Sequence, residues 1–148
     1  MSKTLRKTAA VIIVLFGILG CTVTVHDEDK AAAVAEDFAN TAFVKQDFRW
    51  AYRLFSESLR AMTTKDQAVE IMEKMHPHGY PTSVKANEYA MVPGQDAVMV
   101  FVDGENEEGK FCYDFLMVGT ALRGYQIQQV LRVPSPRPPV KGRISLKK

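Results

Sequence analysis

A few positions carry residue types that can do chemistry, and none of them forms a signature. Asp114 sits between Tyr113 and Phe115 in an otherwise apolar run. Burial there would raise a carboxyl pKa toward values useful for proton transfer, which makes Asp114 the catalytic candidate. The plainer reading is an acid paired with an arginine at an exposed or dimer-facing position. His76 and His78 flank Pro77. An H-x-H pair supplies two of the four ligands of a structural metal site, and nothing nearby supplies the others; a solvated loop is the plainer reading, and no metal or cofactor is expected. The 104–109 segment, GENEEG, is rich in oxygens but lacks the alternating ligand spacing of a calcium loop, so it reads as a charged hairpin. There is no phosphate-cradling glycine loop, no G-x-S-x-G and no paired cysteines.

Cys21 is different, because what precedes it gives it a chemistry. Lys3, Arg6 and Lys7 form a basic leader, followed by the uncharged run AAVIIVLFGILG, the layout of a secretory signal. Ile18-Leu19-Gly20-Cys21 resembles the lipobox of bacterial lipoproteins. That resemblance implies diacylglycerol on the Cys21 sulfur and cleavage after Gly20. Two or more acyl chains make a stable anchor without a spanning helix, and the uncharged run falls short of the roughly 20 apolar residues that a span needs. The expected address is an exported protein held to a membrane by lipid, at the outer membrane facing the periplasm where the host has one. With Cys21 lipidated, Cys112 has no partner within the chain and reads as a small buried hydrophobe.

Those features need a scaffold. Removing 20 residues from 148 leaves enough chain for one core. The leader has three of the nineteen basic residues and none of the seventeen acids, so the mature chain is near neutral, which argues against a nucleic-acid binder. Ala32, Ala35, Phe38, Ala39, Ala42 and Phe43 recur at helical spacing. Asp47 can cap a second helix over 48–62, with Trp50, Ala51, Leu54, Phe55 and Leu59 as its apolar face. Thr64-Lys65-Asp66-Gln67 has the form of a capping box opening a third, with Ala68, Ile71, Met72 and Met75 inward. From residue 83 the period changes to two, which predicts strands over 83–92, 97–103, 110–118 and 125–133. Helices followed by strands with short connections read as α+β with an antiparallel sheet. The two middle strands are apolar on both faces, so the face away from the helices needs a cover; the expectation is a homodimer packing sheet on sheet.

The stretch AAAVAEDFANTAFVKQDFRWAYRLFSESLR and the closing GTALRGYQIQQVLRV resemble the nuclear-transport-factor-2-like (cystatin-like) α+β cone superfamily over roughly residues 30–133. The resemblance implies N-terminal helices packed on a curved four-stranded antiparallel sheet, enclosing a conical pocket. Trp50, Tyr52, Phe55 and Tyr113 then become candidates for lining a ligand site, although aromatics at such spacing are core first. The superfamily hosts isomerases, dehydratases and inert association modules, so fold alone assigns no activity.

The organisation read from the sequence is a signal over 1–20, a lipidated linker over 21–29, a domain over 30–133 and a basic proline-rich tail over 134–148. Arg137, Lys141, Arg143, Lys147 and Lys148 all fall in that tail, which leaves the body acidic. A solvated, flexible tail is expected, long enough to reach an anionic surface of the envelope. The leading functional expectation is a non-enzymatic envelope lipoprotein binding a small apolar ligand or a protein partner. Next come an assembly role through a dimer face and the basic tail, and an isomerase- or dehydratase-like enzyme using Asp114.

Overall fold

A computed structural model of the chain describes residues 24–147, so the leader and Cys21 lie outside the described residues. Helix α1 (Glu28–Ala39) starts where its sequence provides a cap. The Asp27 carboxylate accepts from the Lys30 N–H at 3.0 Å, and Glu28 and Asp29 occupy the first turn, where the helix dipole favours negative charge. All six residues of the predicted stripe are buried, and the alanines let α1 lie close across the sheet. The helix widens into a π-helical turn at Asn40–Val44, which keeps Thr41, Ala42 and Phe43 buried.

The predicted second helix is broken. Asp47 caps α2 (Phe48–Ala51) as expected, and one 3-10 turn, Tyr52–Leu54, follows. Phe55 is then extended, bridges to Ile127 and stacks on Phe38 at 5.6 Å. Ser56 restarts the chain as α3 (Glu57–Met62), its Oγ accepting from the Leu59 N–H. Burying Phe55 between helix and sheet outweighs the propensity that would have carried one helix through. Trp50 turns outward, 41% exposed. Helix α4 (Lys65–Lys74) has the complete capping box, with Thr64 and Gln67 satisfying each other's backbone N–H. Ala68 and Met72 are buried, whereas Ile71 faces water.

The sheet contains β1 (Ser83–Met91), β2 (Ala97–Asn106), β3 (Gly109–Thr120), β4 (Gly124–Val133) and a short β5 (Ile144–Ser145), in the order β4-β3-β2-β1-β5, all antiparallel. The four predicted strands are present, and the tail adds a fifth that the sequence did not suggest. Bulges at Asn87 in β1 and Gln128 in β4 bend the sheet around α1. On the helix side lie Val98, Val100, Val102, Phe111, Tyr113, Phe115, Met117 and Ile127. On the far side, Phe101 and Cys112 are also buried. Their cover comes from the chain itself, since the guanidinium groups of Arg137 and Arg143 lie 5.2 and 5.9 Å from the centre of the Phe101 ring.

The β3–β4 turn depends on Gly119. Its φ is +131°, and a Cβ there would fall 2.0 Å from the Gly124 carbonyl oxygen. Gly119→Ala should therefore cost about 2 kcal/mol or more, seen as a lower urea midpoint. Gly124→Ala, with nothing within 4 Å, should cost about 1 kcal/mol. Equal losses would mean that the close approach does not set the turn.

Candidate functional site

The interior of the curve, where a ligand pocket was expected, is filled. Phe38, Phe43, Phe55 and Phe115 pack edge-on and stacked with centroids 5.6–5.8 Å apart. Phe43 stacks on Tyr113 at 4.6 Å. Of the four expected lining residues, Phe55 and Tyr113 are core. Tyr52 closes the end of α3, its hydroxyl donating to the Thr63 carbonyl at 2.7 Å. Trp50 lies on the surface beside Asp37, Thr41, Lys45 and Asp47. No one site gathers them.

His76 corrects the expectation of a solvated loop. It is buried at the end of α4, with Nδ1 2.7 Å from the Met72 carbonyl and Nε2 2.7 Å from the Tyr113 hydroxyl. A carbonyl only accepts, so Nδ1 carries the proton, and Nε2 accepts from the Tyr113 O–H. The neutral imidazole is thereby satisfied on both nitrogens. Burial pushes its pKa below the ordinary value of 6.5; the Met72 hydrogen bond opposes this, and repulsion from Arg132 adds to it. Burial pushes the Tyr113 phenol far up. His76 also stacks on Tyr80 at 4.5 Å, so the pair is a structural strut inside the core. His78 is exposed, and among the described residues no group of three or more metal-ligating side chains occurs.

The polar constellation with the most contacts is on the opposite face. Arg137, with a side chain 5% exposed, reaches back over β2 and β3. Its Nε donates to Asp114 Oδ1 at 2.7 Å, Nη1 to Asp103 Oδ1 at 2.8 Å, and Nη2 to the Val102 and Tyr113 carbonyls at 3.0 Å each. Burial alone would lower the Arg137 pKa; the hydrogen bonds to Asp114 and Asp103 outweigh it and raise it. Asp114 is thus the arginine-paired acid of the plainer reading, with its Oδ1 held by the guanidinium. Further on, Arg143 pairs with Glu88 at 3.0 Å, and β5 pairs with β1.

The tail is thus docked at a few points, although most of its residues stay exposed to solvent as expected. Residues 135–145 form a strap, with two of the five tail cations consumed in ion pairs. Between strap and sheet runs an open groove of about 660 Å³, walled by Val84, Lys85, Gly104, Cys112, Pro136 and Arg143 among others. Beyond the strap, the same face leaves Met99, Leu116 and Val118 half-buried and Leu131 46% exposed. Sequence reasoning missed Arg137 because nothing local marks it: its partners lie 23 and 34 positions away.

Comparison with protein-family models, curated proteins and solved structures found no match to this chain. No helix among the described residues is long and apolar enough to cross a membrane.

Two outcomes follow from this geometry. Above pH 6.5, His76 is neutral folded or unfolded, and its contribution to stability is whole. Below that, the unfolded chain takes up a proton the folded one resists, so stability falls until the pH reaches the depressed folded value. Urea midpoints should drop as the pH falls below 6.5, and His76→Gln should flatten the slope; an unchanged slope would assign it to other groups. Removing the strap's clasp by Arg137→Ala should cost about 2–3 kcal/mol, less than a fully buried pair because Asp103 is half-exposed. In a chain starting at Thr22, where Cys112 is the sole thiol, the same change should speed thiol labelling many-fold. An unchanged rate would show that the strap does not cover Cys112.

Proposed function

We propose that this chain is an exported lipoprotein, tethered through acylated Cys21, whose domain works by binding a protein partner on the outer face of its sheet. The observation that carries the choice of a protein over a small apolar ligand is the filled interior. Tyr113, Phe38, Phe43 and Phe115 occupy the space a conical pocket would need, at 0–1% exposure. What stays open is on the outside: the groove beside the strap and the apolar strip of Met99, Leu116, Val118 and Leu131. Such a strip on a sheet face suits association with another folded surface, a second copy of this chain first among them. The helix-on-curved-sheet arrangement supports reading the domain as a closed relative of the nuclear-transport-factor-2-like cone. The enzymatic reading through Asp114 draws no support from its pairing with Arg137.

Native mass spectrometry on protein extracted from its own membranes tests this directly. The expected species starts at Cys21, carries acyl mass and holds a polypeptide companion that is lost in Leu116→Glu/Leu131→Glu. A lipidated monomer carrying a small molecule would overturn the partner reading, and an unprocessed chain would overturn the anchor.

A further inference from the structure

The N-terminal segment is held to the domain almost as far as the proposed lipid. Thr24 Oγ1 donates to Asp96 Oδ1 at 2.6 Å, the Val25 carbonyl accepts from the Ala121 N–H at 3.1 Å, and the Asp27 N–H donates to the Tyr125 hydroxyl at 2.7 Å. The expected linker over 21–29 is therefore docked from Thr24 onward. Asp96 closes the β1–β2 turn and Ala121 opens the β3–β4 turn, and antiparallel pairing puts both turns at one end of the sheet. Cys21 and Thr24 are three residues apart, so their Cα atoms can be separated by no more than about 11 Å. Whatever path those residues take, a lipid on Cys21 brings that end of the sheet to the bilayer surface.

That end is built for such a neighbour. Leu122 stands at the tip of the β3–β4 turn, 97% exposed, with Arg123 beside it. Val25, 64% exposed, is joined to the same turn through Ala121. The tip is held firmly, by the tight approach of Gly119 to Gly124 and by Thr120 Oγ1 accepting from the Arg123 N–H. Acids also lie near it: Asp27 is paired with Lys30, Glu28 accepts from the Tyr89 hydroxyl, and Asp96, bonded to the uncharged Thr24 hydroxyl, and the exposed Asp29 keep their charge, so Leu122 is the group that recommends the turn to a bilayer. The acidic hairpin of Glu105, Glu107 and Glu108 lies at the other end of strands ten or more residues long, roughly 30 Å away at 3.3 Å per residue. An anionic leaflet attracts Arg123 and repels that hairpin. The strap does not compete for the surface, since β5 runs antiparallel to β1 and carries Leu146 toward Asn87, away from the tether.

We propose that the β3–β4 turn is a membrane-contact surface, with Leu122 entering the interfacial layer of the bilayer that holds Cys21 and Arg123 resting among its headgroups. The domain then stands on its turn end, and the groove beside the strap, near the acidic hairpin, faces away from the membrane. This rests on the lipid-anchor reading, and the experiment separates the two. Trp50 is the chain's one tryptophan, so the full-length W50F background can carry a single reporter, L122W or E107W. Each acylated protein is placed in vesicles of phosphatidylethanolamine and phosphatidylglycerol with brominated acyl chains, its mass and flotation are checked, and its emission is compared with that in unbrominated vesicles. The expected result is emission more than halved for L122W and unchanged for E107W. Acylated, floating protein in which both reporters are quenched alike, or neither is, overturns the orientation and leaves the anchor standing. An L122W reporter shielded from iodide yet untouched by bromine also overturns it, in favour of a protein on that turn. A chain without acyl mass on Cys21 removes the anchor and the orientation with it.

Discussion

The guanidinium of Arg137 decides whether the outer face of this sheet can exist in water. Phe101 and Cys112 point away from the helices, and two central strands apolar on both sides demand a second layer. The chain supplies it by returning its C-terminal segment across β2 and β3. Burying a guanidinium costs several kcal/mol unless charge and donors are matched. Here two carboxylates share the charge, and four donated hydrogen bonds, two of them to backbone carbonyls, take up most of its five N–H groups. Only a planar fork can reach Asp103, Asp114 and both carbonyls together, so lysine would not substitute. The pairing also fixes the strap where it crosses β2 and β3, because the guanidinium lies between those two acids.

The inner face solves the opposite problem. A curved sheet with helices across it tends to leave a hollow, and here the hollow is closed by aromatic rings and one neutral imidazole. The π-helical turn at Asn40–Val44 places Phe43 against Tyr113, and the break at Phe55 drops a further ring beside Phe38. His76 is tolerated in that core because Met72 and Tyr113 satisfy both nitrogens in the uncharged form. The buried polar groups of this core are thus committed to holding it together.

Much of this was readable in the sequence, and the failures share a cause. The α1 stripe, the Asp47 cap, the capping box at Thr64 and the four long strands rest on local periodicity and short-range hydrogen bonds, which a single chain displays. The apolar run around Phe101 correctly demanded a cover. The identity of that cover, the burial of His76, the break before Ser56 and the docking of Thr24 each depend on contacts across dozens of positions. His76 and Arg137 look like loop and tail residues until the fold brings Tyr113 to one and Asp103 with Asp114 to the other. Proline richness and positive charge in the tail suggested solvation, and most of the segment is exposed, yet Arg137, Arg143 and the short β5 pairing dock it on the sheet.

Both terminal segments therefore work as fasteners at opposite sites. The N-terminal one is tied to the turns at one end of the sheet, and the C-terminal one crosses the outer face and finishes along β1 toward the other end. This arrangement gives the domain a direction. With Cys21 acylated as proposed, docking from Thr24 onward replaces an eight-residue tether by one that keeps this end of the sheet within about 11 Å of Cys21. Restricting orientation raises the effective concentration of whatever surface faces a partner and lowers it for the rest. Under the proposed anchoring, a turn end held at the bilayer would leave the groove and the strap facing the compartment, where the proposed partner would reach them.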